Sequence, residues 1–381
     1  MYMEYELIAT TTFGLEAVAR REIENLGYEI IKTEDGKITY RGDLAAIAKS
    51  NLWLRTADRV LLKMGEDEVK NFEDLFQFVK GLPWEEIIPK DGCFVVNGTT
   101  VKSKLTSLPA IQRTIKKAMV LRLSEFHDSE LPETGAKYPI RFTLLKDVFT
   151  ISIDTTGSGL HKRGYRIKNV EAPIKETLAA ALVELSFWNK DRLLIDPCCG
   201  SGTILIEAAM IARNIAPGLC RSFESEEWDV FPETLWKKER QKAEESVERD
   251  GNLLIRGYDV DLKAVMVARE NAAAAGVGND LNFEKMSVSK LKVPEQGAII
   301  ITNPPYGQRI GSDEEVEIVD KSLRRLMADN HALSVFAITS EKNFEKKMGK
   351  KANRRRKLYN GRIETTYYQY HGKKTNYEKS R

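Results

Sequence analysis

Cysteine is scarce in this chain of 381 residues: there are four, two of them adjacent (Cys198, Cys199), and none forms a CxxC pair. That leaves neither a disulfide framework nor the thiolate spacing of a zinc site, so no metal is expected and a reducing compartment is. No uninterrupted apolar run approaches the ~20 residues a membrane-crossing helix needs. The opening Met1-Tyr2-Met3-Glu4-Tyr5-Glu6 lacks the basic start and apolar stretch of a secretory signal. The expected location is the cytoplasm. The four histidines (His127, His161, His331, His371) form no catalytic cluster along the sequence. Internal repeats and low-complexity tracts are absent. An excess of one charge is missing as well, since 59 Lys and Arg face 56 Asp and Glu for a net +3.

What is present is an ordinary globular composition, 42% hydrophobic and 30% charged, in a chain long enough for two or three cores. Although the net charge is small, the basic residues are unevenly spread. Residues 100–122 carry Lys102, Lys104, Arg113, Lys116, Lys117 and Arg122 with no acid among them. Residues 137–168 hold seven Lys or Arg against two Asp, and Arg354-Arg355-Arg356-Lys357 forms a third block. Any one cluster reads most simply as solvated surface charge. Three unbalanced clusters favour a polyanionic partner, because each cation near a phosphate releases condensed counterions.

Hydrophobic periodicity divides the chain into three parts, 1–65, 66–160 and 161–381. The first reads as a small α+β unit, with strands over 4–10 and 38–40 and helices over 15–26 and 44–54. The second repeats that pattern: a helix over 72–79, a strand over 93–97, a helix over 110–123, and a hairpin of strands 141–145 and 148–154 turning at Lys146-Asp147. Neither shows a catalytic constellation. A glycine-rich basic junction over 155–166 follows. Beyond it, strands (193–196, 253–259, 299–302, 333–339) alternate with helices (172–188, 203–212, 262–274 and one near 314–328). That order predicts a mostly parallel, doubly covered α/β sheet. An insertion over 214–250 carries a charged helix over 233–248.

Three sites in this last part carry chemistry. At Asp196-Pro197-Cys198-Cys199-Gly200-Ser201-Gly202-Thr203, an apolar strand ends in an acid, a tight turn follows and a helix opens. Gly200 and Gly202 let a ligand lie against the backbone, and the helix N-terminus offers unpaired N–H groups. Leu205 stands where the dinucleotide fingerprint needs its third glycine, so the turn alone identifies no cofactor. The next strand ends in Asp259, placed to accept hydrogen bonds from ribose hydroxyls, while Asp261 suits the cap of the helix that follows. The third and most specific site is Asn303-Pro304-Pro305-Tyr306, directly after the buried strand 299–302. Two prolines remove two N–H donors and stiffen the backbone. The Asn303 side-chain oxygen and the Pro304 carbonyl can then accept both hydrogens of an exocyclic amine, while Tyr306 offers a stacking face.

The set Asp196 to Thr203, Asp259 and Asn303 to Tyr306 resembles the class I S-adenosylmethionine-dependent amino-methyltransferases. Val101-Lys102-Ser103-Lys104-Leu105 and Pro109-Ala110-Ile111-Gln112-Arg113 resemble a THUMP domain preceded by a ferredoxin-like domain. His161-Lys162-Arg163-Gly164-Tyr165-Arg166 and the stretch from Ala172-Pro173 to Leu182 are similar to bacterial THUMP-containing 23S rRNA guanine-N2 methyltransferases. The resemblance implies an α/β architecture: a Rossmann-like class I methyltransferase sheet behind ferredoxin-like and THUMP domains. It also implies S-adenosylmethionine as cofactor, with Asp196, Pro197, Cys198, Gly200, Gly202, Thr203 and Asp259 as its site. It implies RNA contacts at Lys102, Lys104, Arg113 and Lys116, catalysis at Asn303, Pro304, Pro305 and Tyr306, and an RNA partner, 23S rRNA or a ribosomal precursor, with N2-methylguanosine as product. Many class members carry an acid after the third strand for the cofactor adenine. Here Glu284-Lys285-Met286-Ser287-Val288 offers Ser287 instead. Some relatives carry a second methyltransferase domain; with one, a single modification is expected. From the residues alone, adenine-N6 methylation of DNA or RNA, glutamine methylation and a non-catalytic RNA-binding assembly factor remain alternatives.

Overall fold

Among the described residues, the strands separate into two sheets of seven each. The computed structural model describes residues 4–167, 173–294, 297–305 and 313–373. One unit comprises Met1–Thr11, Arg20–Leu160 and Ser222–Lys242; the other comprises Thr12–Ala19, His161–Arg221 and Ala243–Arg381.

The sheet of the first unit contains β1 (Tyr5–Thr11), β2 (Ile30–Glu34), β3 (Lys37–Gly42), β4 (Ala57–Glu68), β5 (Val96–Val101), β6 (Ile140–Leu145) and β7 (Val148–Asp154), in the order β2-β3-β1-β4-β7-β6-β5. Its helices are α1 (Glu16–Asn25, the first residues of which fall in the other unit), α2 (Leu44–Trp53), α3 (Phe72–Gly81) and α4 (Leu108–His127). Asp43 and Asn71 cap α2 and α3 by accepting the amides of Ala46 and Asp74, the usual service of Asx side chains at a helix start.

Strand β4 is the main departure from the sequence reading, which places no strand there. It spans 12 residues, pairs β1 on one side and β7 on the other, and runs through position 65. One continuous sheet therefore serves both 1–65 and 66–160. The segment Ala-Asp-Arg-Val-Leu-Leu-Lys-Met-Gly-Glu-Asp-Glu does not alternate, because its first half is buried and its last residues are exposed. A register shift between Lys63 and Gly65 then breaks the period. At Gly65 a Cβ would come within 2.9 Å of Leu82 and Phe78, so glycine is what lets α3 close on the strand. The strand expected over 93–97 begins instead at Val96, with Cys93 in an isolated bridge to Lys137.

Residues 222–242, read from sequence as an insertion within 161–381, pack into this first unit. Trp228 stacks on Tyr138 with ring centroids 4.9 Å apart and donates from Nε1 to the Lys137 carbonyl at 2.8 Å. The Ser225 hydroxyl donates to the Thr155 carbonyl at 2.8 Å. Phe223, Trp228, Phe231 and Trp236 are all buried, which gives this charged stretch an apolar anchor. Helix α7 (Leu235–Glu245) ends it.

The second unit holds β8 (Leu194–Asp196), β9 (Ile255–Asp259), β10 (Leu281–Lys285), β11 (Ile299–Thr302), β12 (Ser334–Thr339), β13 (Arg354–Asn360) and β14 (Ile363–Tyr370), in the order β10-β9-β8-β11-β12-β14-β13. The pairs from β10 to β12 are parallel, and β14 is antiparallel to both neighbours. Strands β11 and β12 are buried at every position, as apolar runs between two helical layers should be. Period-two alternation sorts their side chains. Ile299, Ile301, Phe336 and Ile338 join the apolar cluster on one face, and Ile300, Val335 and Ala337 the cluster on the other. The helices are α5 (Glu176–Glu184), α6 (Thr203–Ala212), α8 (Leu262–Ala274), α9 (Asp313–Asp329) and α10 (Phe344–Met348). The helix expected over 172–188 is shorter at both ends, and Ala172 lies outside the described residues. It stops where the Ser186 hydroxyl takes the Val183 carbonyl and accepts the Trp188 amide. Among the described residues, no helix is long and apolar enough to cross a membrane.

Helix α6 is buried from Thr203 to Met210, including Glu207 at 0% exposure. A charge so placed needs partners: Arg163 (Nε to Oε1, 3.4 Å) and the Tyr165 hydroxyl (3.0 Å) supply them. Removing one member strands the others. Glu207→Ala should lower stability by about 3–5 kcal/mol, measured by urea unfolding; a loss below ~1 kcal/mol would show that the pair is dispensable.

Candidate functional site

The expected site residues lie at the carboxyl ends of adjacent strands, where open α/β sheets bind ligands. Asp196, the last residue of β8, is 2% exposed. Its Oδ1 accepts the Cys198 amide at 3.1 Å and the Thr302 hydroxyl at 2.7 Å. Thr302 ends β11, so one carboxyl oxygen fixes the glycine turn to the strand that leads into Asn303. Burial pushes the Asp196 carboxyl up to about 7, against the opposing effect of these two hydrogen bonds.

Gly200 (φ 51°) and Gly202 (φ 80°) both have left-handed backbone, which glycine adopts without strain. Gly202 has a packing reason as well: a Cβ there would lie 2.9 Å from the Phe283 ring and 3.1 Å from Ala268. The same ring lies against Gly257 of β9, where a Cβ would come within 2.5 Å. Phe283 thus fills the space beneath the turn. The Thr203 hydroxyl lies 3.2 Å from that of Ser201 and accepts from Arg166 Nη2 at 3.1 Å. Pro197 and Cys199 are buried and Cys198 half-buried.

Asp259 ends β9, half-buried, with Oδ2 accepting the Gly200 amide at 2.9 Å and Oδ1 the Asp261 amide at 3.0 Å. Two oxygens provide about four lone pairs, so acceptor capacity remains for ligand hydroxyls. Burial raises its carboxyl above the ordinary range, and the neighbouring Asp261 adds to this. Asp261 caps α8 by accepting the Lys263 amide at 2.9 Å. The Ser287 hydroxyl is engaged locally, 2.9 Å from that of Ser289 at the start of a 3-10 turn.

Asn303 is half-buried, and its Oδ1 is a buried acceptor with no hydrogen-bond partner among the described residues. An unpaired buried amide oxygen is destabilising by about 1–3 kcal/mol, so it marks a place for a donor. Pro304 is buried and Pro305 half-buried; Tyr306 lies outside the described residues. The cofactor reading fits this arrangement: a glycine turn at a helix start, an acid on the next strand, and an open acceptor one strand away on the other side. Among the described residues, no group of three or more His, Cys, Asp or Glu is placed to hold a metal ion.

Sequence reasoning missed the groups that brace the site. Arg166 pairs with Glu176 at 3.0 Å and donates to Thr203 and to the Ile174 carbonyl. Asn271 accepts the Ile167 amide at 3.1 Å and donates to the Ser201 carbonyl at 3.3 Å. Only a polar residue ending an apolar run, Thr302, left any signal in the sequence.

The basic clusters divide. Lys102 and Lys104 are exposed on a loop fixed by other atoms: the Lys104 amide donates to Asp147 at 2.7 Å and the Ser103 hydroxyl to the Leu144 carbonyl at 3.2 Å. Arg113 is exposed, with Nε 3.3 Å from the Pro109 carbonyl. Lys116 is committed elsewhere, pairing with Glu133 at 2.6 Å, donating to the Phe94 carbonyl and sitting 3.7 Å over the Phe94 ring. Arg141, Arg163 and Arg166 are ion-paired internally. The block Arg354 to Lys357 lies in β13, where alternate residues face opposite ways, and Arg355 and Lys357 pair with Glu345 and Glu364.

The raised Asp196 carboxyl has a consequence for stability. Between its unfolded value near 4 and its folded value of about 7, the folded state binds the extra proton, so stability falls as pH rises through that window. Asp196→Asn keeps an oxygen for Thr302 and Cys198 but has no proton to lose. Urea midpoints at pH 5 and pH 7.5 should therefore fall less for the variant than for the wild type. Equal slopes would show that the folded carboxyl is not raised.

Known proteins resemble this chain along almost its whole length. Residues 163–369 match the RMKL-like methyltransferase domain, 6–61 the RlmL ferredoxin-like domain and 69–154 the THUMP domain. The chain is 46% identical to the "Putative RNA methyltransferase YpsC" of Bacillus subtilis (strain 168), covering 97% of each protein. It is 34% identical to the ribosomal RNA large subunit methyltransferase K/L of Syntrophotalea carbinolica (strain DSM 2380 / NBRC 103641 / GraBd1), over 94% of this chain but 52% of that one. It thus spans about half the length of the K/L enzyme it matches. The crystal structure of SMU.472 complexed with SAH superposes with a TM-score of 0.93 at 41% identity, covering 99% of this chain and 100% of that one. This chain belongs to the RMKL-like family of S-adenosylmethionine-dependent methyltransferases, with RlmL-type ferredoxin-like and THUMP domains in its N-terminal half.

Proposed function

We propose that this RNA methyltransferase modifies the N2 amine of a guanine in 23S rRNA or a ribosomal precursor. The observation that carries the reading is the Asn303 oxygen, unpartnered among the described residues and followed by two prolines at the end of the strand beside the glycine turn. The K/L relative, named for the large-subunit ribosomal RNA, supports the choice of RNA.

S-adenosylmethionine, when bound, supplies a methyl group on a positively charged sulfur, which departs neutral. In this reading the turn from Asp196 to Thr203 cradles the cofactor and Asp259 accepts its ribose hydroxyls. Asn303 and the Pro304 carbonyl accept the two amine hydrogens, aim the nitrogen lone pair out of the ring plane and stabilise the positive charge that grows on nitrogen. Tyr306 stacks on the base. The amine loses its proton to solvent after transfer, so no dedicated base is needed. In-line positioning of this kind is worth about 7–11 kcal/mol in favourable models. A base paired in a duplex has to be flipped to reach the site, which favours loops or opened helices. Lys102, Lys104 and Arg113 hold the RNA backbone.

Three experiments test this. Incubating the protein with labelled cofactor and total RNA from cells lacking it should yield labelled N2-methylguanosine; N6-methyladenosine instead would overturn the guanine reading. Asn303→Ala should lower single-turnover kcat about 100- to 1000-fold with RNA and cofactor affinity unchanged, and a wild-type rate would remove Asn303 from catalysis. Asp259→Ala should weaken S-adenosylhomocysteine binding by about 1–3 kcal/mol in calorimetry.

Neutralising Lys102, Lys104 and Arg113 together should weaken RNA binding and reduce the slope of log K against log salt by about 2–3. Lys116→Gln should chiefly lower stability. An unchanged salt slope in the triple variant would move the RNA surface elsewhere.

A further inference from the structure

Next to the amine-binding turn lies an open cavity of about 400 Å³, lined among others by Pro304, Pro305, Asp320, Thr339, Glu341 and Phe344. It sits at the carboxyl ends of β11 and β12, with α9 and α10 forming its sides. A cofactor on the turn after β8 and the acid of β9 would lie on the other side of β11. The cavity therefore borders the face of Pro304-Pro305 from which a base would present its amine.

Its two carboxylates differ in what they have left to offer. Glu341 is held at both oxygens: Oε1 accepts the Asn343 amide at 2.8 Å, and Oε2 meets the Lys347 ammonium at 3.1 Å. Asp320 is 6% exposed. The same ammonium lies 3.1 Å from its Oδ2 and forms an ion pair with it; of the roughly four lone pairs on the two oxygens this contact takes one. Burial raises the Asp320 carboxyl, and the Lys347 ammonium opposes the rise. So the cavity that borders the amine site is lined by a buried, ion-paired carboxylate with acceptor capacity left.

We propose that this cavity receives the target base and that the Asp320 carboxylate accepts the N1 hydrogen of guanine, making Asp320 the residue that selects guanine over adenine. The inference rests on the guanine-N2 reading. In guanine, the ring atom beside the N2 amine is N1 carrying a hydrogen. In adenine, the atom beside the N6 amine is N1 carrying a lone pair. With the amine held by Asn303, the neighbouring N1 of guanine gains a charge-assisted hydrogen bond from a carboxylate, whereas that of adenine meets like charge. The motif at 303–305 recognises an amine of either base; the group beside it decides which base is accepted.

2-Aminopurine tests this directly, because it keeps the amine at position 2 and has no hydrogen on N1. The RNA substrate identified by nucleoside analysis is ligated with guanine or 2-aminopurine at the target position, and single-turnover rates are measured for wild type, Asp320→Asn and Asp320→Ser. The wild type should methylate guanine at least tenfold faster than 2-aminopurine. Both variants should lose rate on guanine by a similar factor, lose little on 2-aminopurine, and retain wild-type affinity for S-adenosylhomocysteine. If the wild type methylates both bases equally, no N1 acceptor operates and the inference fails, whatever the variants do. If wild type and variants discriminate equally, N1 is read by another group and Asp320 is excluded. A wild type that makes N6-methyladenosine in place of N2-methylguanosine overturns the guanine reading and this inference with it. N2-methylguanosine formed without Asp320-dependent discrimination overturns the inference alone.

Discussion

The site depends on one buried carboxyl oxygen. Asp196 Oδ1 receives both the Cys198 amide and the Thr302 hydroxyl, so the turn after β8 and the end of β11 are fixed to the same point. Asp259 repeats the device on the other side through Gly200. The parallel sheet sets these strands side by side. The carboxylates then convert strand spacing into a defined separation between the glycine turn and Asn303. The arrangement carries an electrostatic penalty. Two acids near each other, one fully buried, repel and lose solvation, and these effects outweigh the hydrogen bonds that favour ionisation. The residual negative potential has the sign that a sulfonium ligand requires.

Elements with strong local signals were legible in the sequence. Helices α6 and α8 begin and end where periodicity and capping predict, and β11 matches its apolar run residue for residue. Strands defined by their neighbours were not. β4 has no alternation of its own, and the β13–β14 hairpin begins with Arg-Arg-Arg-Lys, which reads as surface charge until the pairing with β14 is seen. Likewise, charged stretch 222–242 gives no sign in its sequence that four aromatic residues anchor it to the first unit.

The same limit applies to charge. Runs of Lys and Arg in sequence suggested three basic surfaces, but tertiary partners take up cations in all three. Arg163 and Arg166 are used in binding Glu207 and Glu176, and Lys116 in binding Glu133. Lys102 and Lys104, which remain exposed, sit on a loop whose own hydrogen bonds run through Ser103 and Asp147. That division matters for binding, since a cation already paired releases fewer counterions and loses a partner when it turns to phosphate. Fixing the loop by its backbone leaves its lysines free to do so at little conformational cost.

Chemistry and selectivity are encoded at different distances along the chain. The acceptors proposed to hold an amine occupy consecutive positions after one strand, so a short motif announces them. The groups surrounding the adjoining cavity come from α9, the turn after β12 and α10, and no spacing in the sequence connects Asp320 with Glu341, Lys347 or Pro304. Their relation exists only once β11 and β12 lie side by side. A motif can therefore persist while the elements around the cavity change, and with them the base that fits. In the proposed reading, the amine chemistry is set by a short motif and the choice of base by elements that only the fold brings together.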